Sequence, residues 1–136
     1  MDFEDAEQAL RVNVGKLRGW TFERFEMWRQ PAADGSLIQG PSGQPYLFET
    51  DVTDRSGDYD PKDESLELQF TVSEQGSRRM FGASVTTIVF LRKGELFSGE
   101  ITEVSRTTAR AQRVAALALG GLVTVFAATL FYRCGR

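Results

Sequence analysis

An uncharged apolar run of 19 residues, Val114 to Tyr132, lies between Arg113 and Arg133. As a helix rising ~1.5 Å per residue it reaches about 28 Å, close to the roughly 30 Å hydrocarbon core of a bilayer. Only Thr124 and Thr129 interrupt it before Tyr132. A helix buried against a small soluble domain would keep a polar stripe, and this run has none. It therefore predicts a single transmembrane α-helix, with Arg110, Arg113, Tyr132 and Arg133 flanking the membrane and the arginines snorkelling to headgroups.

Charge divides the chain in the same place. Residues 1–105 hold all 19 acidic side chains against 11 basic ones, a net −8. Residues 106–136 hold five arginines (Arg106, Arg110, Arg113, Arg133, Arg136) and no acid. This pattern predicts an acidic soluble domain over 1–105 and a basic-flanked membrane segment over 106–136. An acidic domain lacks the cationic surface that phosphate neutralisation needs, so nucleic acid is not an expected partner.

The first residues include Asp2, Glu4, Asp5 and Glu7 and contain no apolar stretch, so no signal peptide is expected. That points to a tail-anchored protein. Three arginines precede the span and two follow it, a slight positive-inside bias. Both features favour a cytoplasmic N-terminal domain.

Within 1–105, Phe3 to Leu10 reads as a short helix or an acidic lead. Leu10, Val12 and Val14 alternate with Arg11 and Asn13 and suggest a strand ending at Gly15. Trp20 to Arg29 is aromatic. Its alternation breaks at Arg24, which suggests a bulged strand or one covered on both sides, ahead of a helix. Pro31 to Pro45, with three prolines and three glycines, reads as a loop. A strand follows at Tyr46 to Val52, then an aspartate-rich loop at Thr53 to Ser65.

The cleanest pattern is Ser65 to Ser73. Leu66, Leu68, Phe70 and Val72 share one face, and Glu67, Gln69, Thr71 and Ser73 the other. A turn at Glu74 to Ser77, a strand over Arg78 to Leu91, a tight turn at Lys93-Gly94 and a returning strand over Glu95 to Val104 complete the domain. Five to seven short strands predict a mainly β fold, a small antiparallel β-sandwich or partly open barrel, followed by the C-terminal transmembrane α-helix.

Candidate sites are few. Ala116, Gly120, Thr124 and Ala128 recur every four residues with Gly121 beside them, a stripe of small side chains along which another helix can approach closely. The loop from Asp51 to Glu64 carries Asp51, Asp54, Asp58, Asp60, Asp63 and Glu64. Its spacing matches no calcium motif, and a solvated acidic loop or a docking surface for a basic partner is the better account. Gly15-Lys16-Leu17-Arg18-Gly19 lacks the spacing and the Ser or Thr of a phosphate loop and reads as a turn. Trp20, Phe22, Phe25, Trp28, Tyr46 and Phe48 read as core, with one or two left at an interface.

The chain has no histidine, and its one cysteine, Cys134, lies beyond the span. The commonest general base and metal ligand are thus absent, and no spacing singles out an acid–base pair of carboxylates. No catalytic, metal or cofactor site is expected.

These features predict a non-catalytic, single-pass accessory or structural subunit of a membrane protein complex. Its partners are the lipid bilayer and other transmembrane helices, a hetero-complex ahead of self-association. The alternative is a membrane-tethered adaptor whose β domain binds a soluble ligand or peptide, with a carboxylate-and-metal enzyme the weakest reading.

Overall fold

The computed structural model describes residues 1–28, 35–58, 60–75 and 82–108. The span expected over 114–132 lies outside the described residues. So do its stripe of Ala116, Gly120, Gly121, Thr124 and Ala128 and the flanking Arg110, Arg113, Tyr132 and Arg133. No helix among the described residues is long and apolar enough to cross a membrane.

The chain opens with helix α1 (Phe3–Gly15). Asp2 caps it, its carboxylate accepting from the Glu4 and Asp5 backbone N–H groups at 3.0 and 3.2 Å. Glu4 and Asp5 in the first turn suit the positive end of the helix dipole. The strand expected at Leu10 to Val14 is thus the second half of this helix. Leu10 and Val14 are one turn apart and join Ala6 and Ala9 on the buried stripe, while Val12 faces solvent. Alternation over five residues contains an i, i+4 pair, so it fits a helix as well as a strand.

A second correction concerns Trp20 to Arg29, where the structure has a helix, α2 (Phe22–Trp28), and no bulged strand. Phe22 and Phe25, three residues apart, are buried, and Met27 on the other side is exposed. The Thr21 hydroxyl accepts from the Arg24 N–H at 3.2 Å and caps the first turn.

Five strands follow: β1 (Ser36–Gln39), β2 (Pro45–Asp54), β3 (Ser65–Glu74), β4 (Ser84–Arg92) and β5 (Ser105–Thr107). They form one antiparallel sheet in sequence order. Among the described residues it does not close, so the fold is mainly β, built on one open antiparallel sheet. Two elements expected as strands became helices, and these cover the sheet face that a second sheet would otherwise have to cover. β1 lies inside the segment expected to be loop and turns into β2 through Gly40 to Gln44, with the Gly40 N–H donating to the Gln44 carbonyl at 2.9 Å. The strand expected over Glu95 to Val104 is not one. That segment makes a single bridge, Leu96 to Thr21, and then runs on without a ladder to β5.

Leu66, Leu68, Phe70 and Val72 of β3 are fully buried beneath the helices, as their alternation predicts. Tyr46 and Phe48 of β2, Val85 and Leu91 of β4, and Phe97 complete this layer. Phe70 lies 6.2 Å from Phe48 with the rings nearly parallel, and 5.7 Å from Phe97. Phe97 in turn meets Phe25 edge-on at 5.4 Å, which joins α2 to the sheet through four aromatic rings. The opposite face carries Glu67, Gln69 and Thr71 half-buried, with Ile88 and Phe90 exposed.

Candidate functional site

The most completely built polar cluster ties the start of α1 to the β1–β2 turn. Asp5 and Tyr46 are both buried. The Tyr46 hydroxyl donates to Asp5 Oδ2 at 2.9 Å, and the Ser42 N–H donates to Asp5 Oδ1 at 2.7 Å. Gly40 is required beside them. A Cβ there would run into the Asp5 carboxylate and lie 2.8 Å from the Tyr46 ring.

Burial pushes the Asp5 carboxyl up, but the Ser42 N–H and the Ser42 and Tyr46 side chains outweigh it, leaving the carboxyl below the usual range. Burial, reinforced by the bond to Asp5, pushes the Tyr46 phenol up to about 12. Tyr46 therefore stays a donor and Asp5 an ionised acceptor at neutral pH. The pair acts as a clasp between elements distant in sequence.

Removing the hydroxyl in Tyr46→Phe strands a buried acceptor, and unfolding in urea is expected to show a loss of about 1–3 kcal/mol. The alkaline limb changes as well. The folded phenol titrates above its ordinary value of 10.0, so its contribution is complete below about pH 10 and is lost as pH rises through about 12. Melting temperatures across that window should fall less steeply in Tyr46→Phe than in the parent. Equal slopes would show that the clasp carries no linkage.

A second set of contacts joins α1 to β5. Glu7 accepts from Arg106 and from Arg11, each at 2.8 Å, and Arg106 first, then Arg11, holds its carboxyl below the usual range. Arg11 also donates to the Ile101 carbonyl at 3.0 Å. Arg106, one of the arginines preceding the apolar run, is thus held against the domain.

The aspartate-rich loop is organised by its own turns and ion pairs. Asp54 and Asp60 accept from the Ser56 and Lys62 N–H groups at 2.8 and 2.9 Å. Arg55 lies between Glu67 at 3.0 Å and Asp58 at 3.6 Å, and Glu64 pairs with Lys93 at 2.7 Å. Among the described residues no group of three carboxylates or other ligands is arranged to hold a metal ion. The nearby surface hollow, lined by Asp60, Lys62, Asp63 and Arg92, is open and mixed in charge.

Gly15 to Gly19 is the turn that ends α1. Lys16, Leu17 and Arg18 donate back to Asn13, Val14 and Gly15, and Gly19 adopts a positive φ of 81°. The N–H groups of Lys16, Leu17 and Arg18 are spent on the end of the helix and that of Gly19 on the Phe97 carbonyl at 2.8 Å, rather than aimed at an anion. Of the aromatic set, Phe22, Phe25, Tyr46 and Phe48 are core and Trp20 packs partly against it. Trp28 is exposed, 5.0 Å from Trp20, whose ring also carries the Arg24 guanidinium at 4.1 Å.

The clasp is geometry for holding a fold, with the Tyr46 hydroxyl and both Asp5 carboxylate oxygens engaged in hydrogen bonds. No known protein family, curated protein or solved structure matches this chain. The functional reading therefore rests on the chain's own physical features.

Proposed function

We propose that this chain is a non-catalytic, single-pass membrane protein that serves as an accessory or structural subunit of a membrane protein complex. Residues 114–132 cross the bilayer and pack through Ala116, Gly120, Gly121, Thr124 and Ala128 against a helix of another subunit, while the β domain caps the cytoplasmic side. One observation carries this reading: the sheet runs to Thr107, and only six residues separate it from Val114. Fully extended, six residues span about 20 Å. A domain on so short a tether stays at the membrane surface and reaches only partners within the same bilayer assembly. In lipid, close packing rather than hydrophobicity drives helix association, and a stripe of small residues permits it.

The test is extraction of the full chain from its native membrane in mild detergent. Stoichiometric membrane partners are expected to co-purify, and the pair Gly120→Leu/Thr124→Leu should lose them while remaining in the membrane. Recovery without detergent would end the membrane reading. Co-purification of a soluble protein alone would instead favour the adaptor, in which the β domain binds a soluble ligand or peptide. The observation behind that alternative is that the sheet is open and keeps edges able to accept a strand.

A further inference from the structure

The core ends at Phe97. Every fully buried apolar side chain among the described residues lies between Ala6 and Phe97. Phe97 is held by its backbone as well as its ring. Its N–H donates to the Trp20 carbonyl at 2.9 Å, and its carbonyl accepts from the Gly19 N–H at 2.8 Å. From Ser98 to Thr108 no residue is buried, and only Ile101 and Val104 pack partly against the core.

This last stretch is held by different means. From Ser98 to Val104 its backbone joins no ladder. The carbonyls of Ser98, Ile101 and Glu103 instead accept from the Arg18, Arg11 and Thr87 side chains at 2.9, 3.0 and 2.7 Å. β5 then pairs with β4 from Ser105 to Thr107, and the Arg106 guanidinium reaches Glu7 at 2.8 Å. Glu7 also holds Arg11 at 2.8 Å, so one carboxylate on α1 orients both the arginine that grips Ile101 and the arginine of β5. Both guanidinium side chains are nearly half exposed, and exposed ion pairs are weak and screened by salt. A segment with little buried apolar area and anchors of this kind opens at much lower cost than the domain as a whole. Gly99, at a φ of 72° just beyond the locked Phe97, is placed to absorb the change of direction.

We infer that residues 98–107 form a releasable strap, latched by Glu7 of α1, whose opening lengthens the tether between the domain and residues 114–132. Docked, the strap leaves six residues before Val114, a reach of about 20 Å. Released at Phe97, it adds its own length. Residues 98–113 then intervene and span about 55 Å when fully extended. Release leaves β1 to β4 paired and uncovers only what Ile101 and Val104 shield. The docked strap keeps the domain down at the surface, and opening lets it rise. The change in reach rests on the membrane reading proposed above; the release itself does not.

The test is hydrogen exchange on the full chain in mild-detergent micelles. Ser105 and Thr107 face Thr86 and Ser84 as hydrogen-bonded pairs of the ladder, since alternate residues of β4, Lys93 among them, turn to β3. Their amides are expected to exchange roughly a hundredfold or more faster than those of β3. The rate should rise severalfold between about 0.05 and about 1 M salt. Glu7→Gln should raise it roughly fivefold at low salt and flatten its salt dependence, with β3 exchange and the far-ultraviolet spectrum unchanged. In a Cys134→Ser background, Ser84→Cys with Thr107→Cys puts Cα atoms about 5.5 Å apart, within disulfide range. Oxidation should then slow exchange at Ser105 and remove its response to salt.

Reach is read separately, in nanodiscs with a dansyl-labelled headgroup, by energy transfer from Trp20 and Trp28, the chain's two tryptophans. Transfer should fall on adding salt to the reduced form and stay constant in the oxidised form. β5 amides that exchange no faster than those of β3 overturn the inference, as does a Glu7→Gln chain with parental rates. Transfer that is present but indifferent to salt in both forms overturns the change in reach. No transfer at either salt, with exchange as expected, removes the bilayer from the account and keeps the strap.

Discussion

Replacing Phe70 with alanine is expected to lower the melting temperature of this domain by roughly 12 °C or more. Phe70 is fully buried on the central strand and lies between the rings of Phe48 and Phe97. Truncating a buried phenylalanine costs about 3–5 kcal/mol in lost burial and residual cavity, and each aromatic pair adds about 0.5–1.5 kcal/mol beyond its area. In a domain of this size each kcal/mol moves the midpoint by about 4–8 °C. Small domains have only about 5–15 kcal/mol in hand, so the variant should sit near its unfolding threshold. Val12→Ala removes apolar atoms from an exposed helix position, and its effect should stay within about 0.5 kcal/mol. Thermal melts of the two variants separate the outcomes. A Phe70→Ala midpoint within about 3 °C of the parent would mean that the four-ring stack is not the centre of the core.

That contrast also marks which parts of the fold the sequence made legible. Ser65 to Ser73 was legible because its alternation runs through nine residues and admits no helical reading; it is β3 with the expected face buried. The Lys93-Gly94 turn was legible for a backbone reason, since Gly94 takes a φ of 89° that other residues rarely adopt. Leu10, Val12 and Val14 misled because two of the three also lie one helical turn apart. The deciding signals were the Asp2 cap and the small Ala6 and Ala9, which only tertiary packing identifies as buried. β1 was hidden because it is four residues long and held by β2 alone among the described strands. A glycine- and proline-rich background gives so short an edge no periodicity to show.

The clasp was less legible than the fold. Asp5 and Tyr46 are 41 residues apart, and each has a plausible local role, Asp5 in the first turn of a helix and Tyr46 at the start of a strand. Gly40 looked like one more loop glycine, yet it is small because a carboxylate and a ring occupy the space its side chain would need. The exposure of Ile88 and Phe90 was equally hidden. Nothing in the alternation of β4 tells that its pairing with β5 stops at Thr86 and that the segment preceding β5 bonds to Arg11 of α1 and to Arg18 in the turn after it instead of completing the ladder.

The second large effect is expected in the tail, from Leu122→Arg combined with Val125→Arg. Both positions lie near the middle of the run from Val114 to Tyr132. In a spanning helix they fall near the bilayer centre, where an arginine costs roughly 2.5–3.5 kcal/mol of insertion free energy, while a leucine or valine contributes about −0.3 to −0.6. Two such changes cost about 6–8 kcal/mol, several orders of magnitude in the insertion equilibrium, and flanking arginines that in such a helix would sit at the two interfaces could not compensate. The full-length parent is expected in the membrane fraction and resistant to alkaline carbonate. The double-arginine variant should appear in the supernatant or be cleared by proteolysis. The conservative pair Leu122→Val/Val125→Leu should behave as the parent. The β domain supplies an internal control, because a folded sheet in the released variant, shown by the far-ultraviolet spectrum and the melt, separates loss of insertion from loss of fold. If the parent itself is soluble without detergent, the run is packed against protein, and its uncharged surface must then be buried by a partner rather than by lipid.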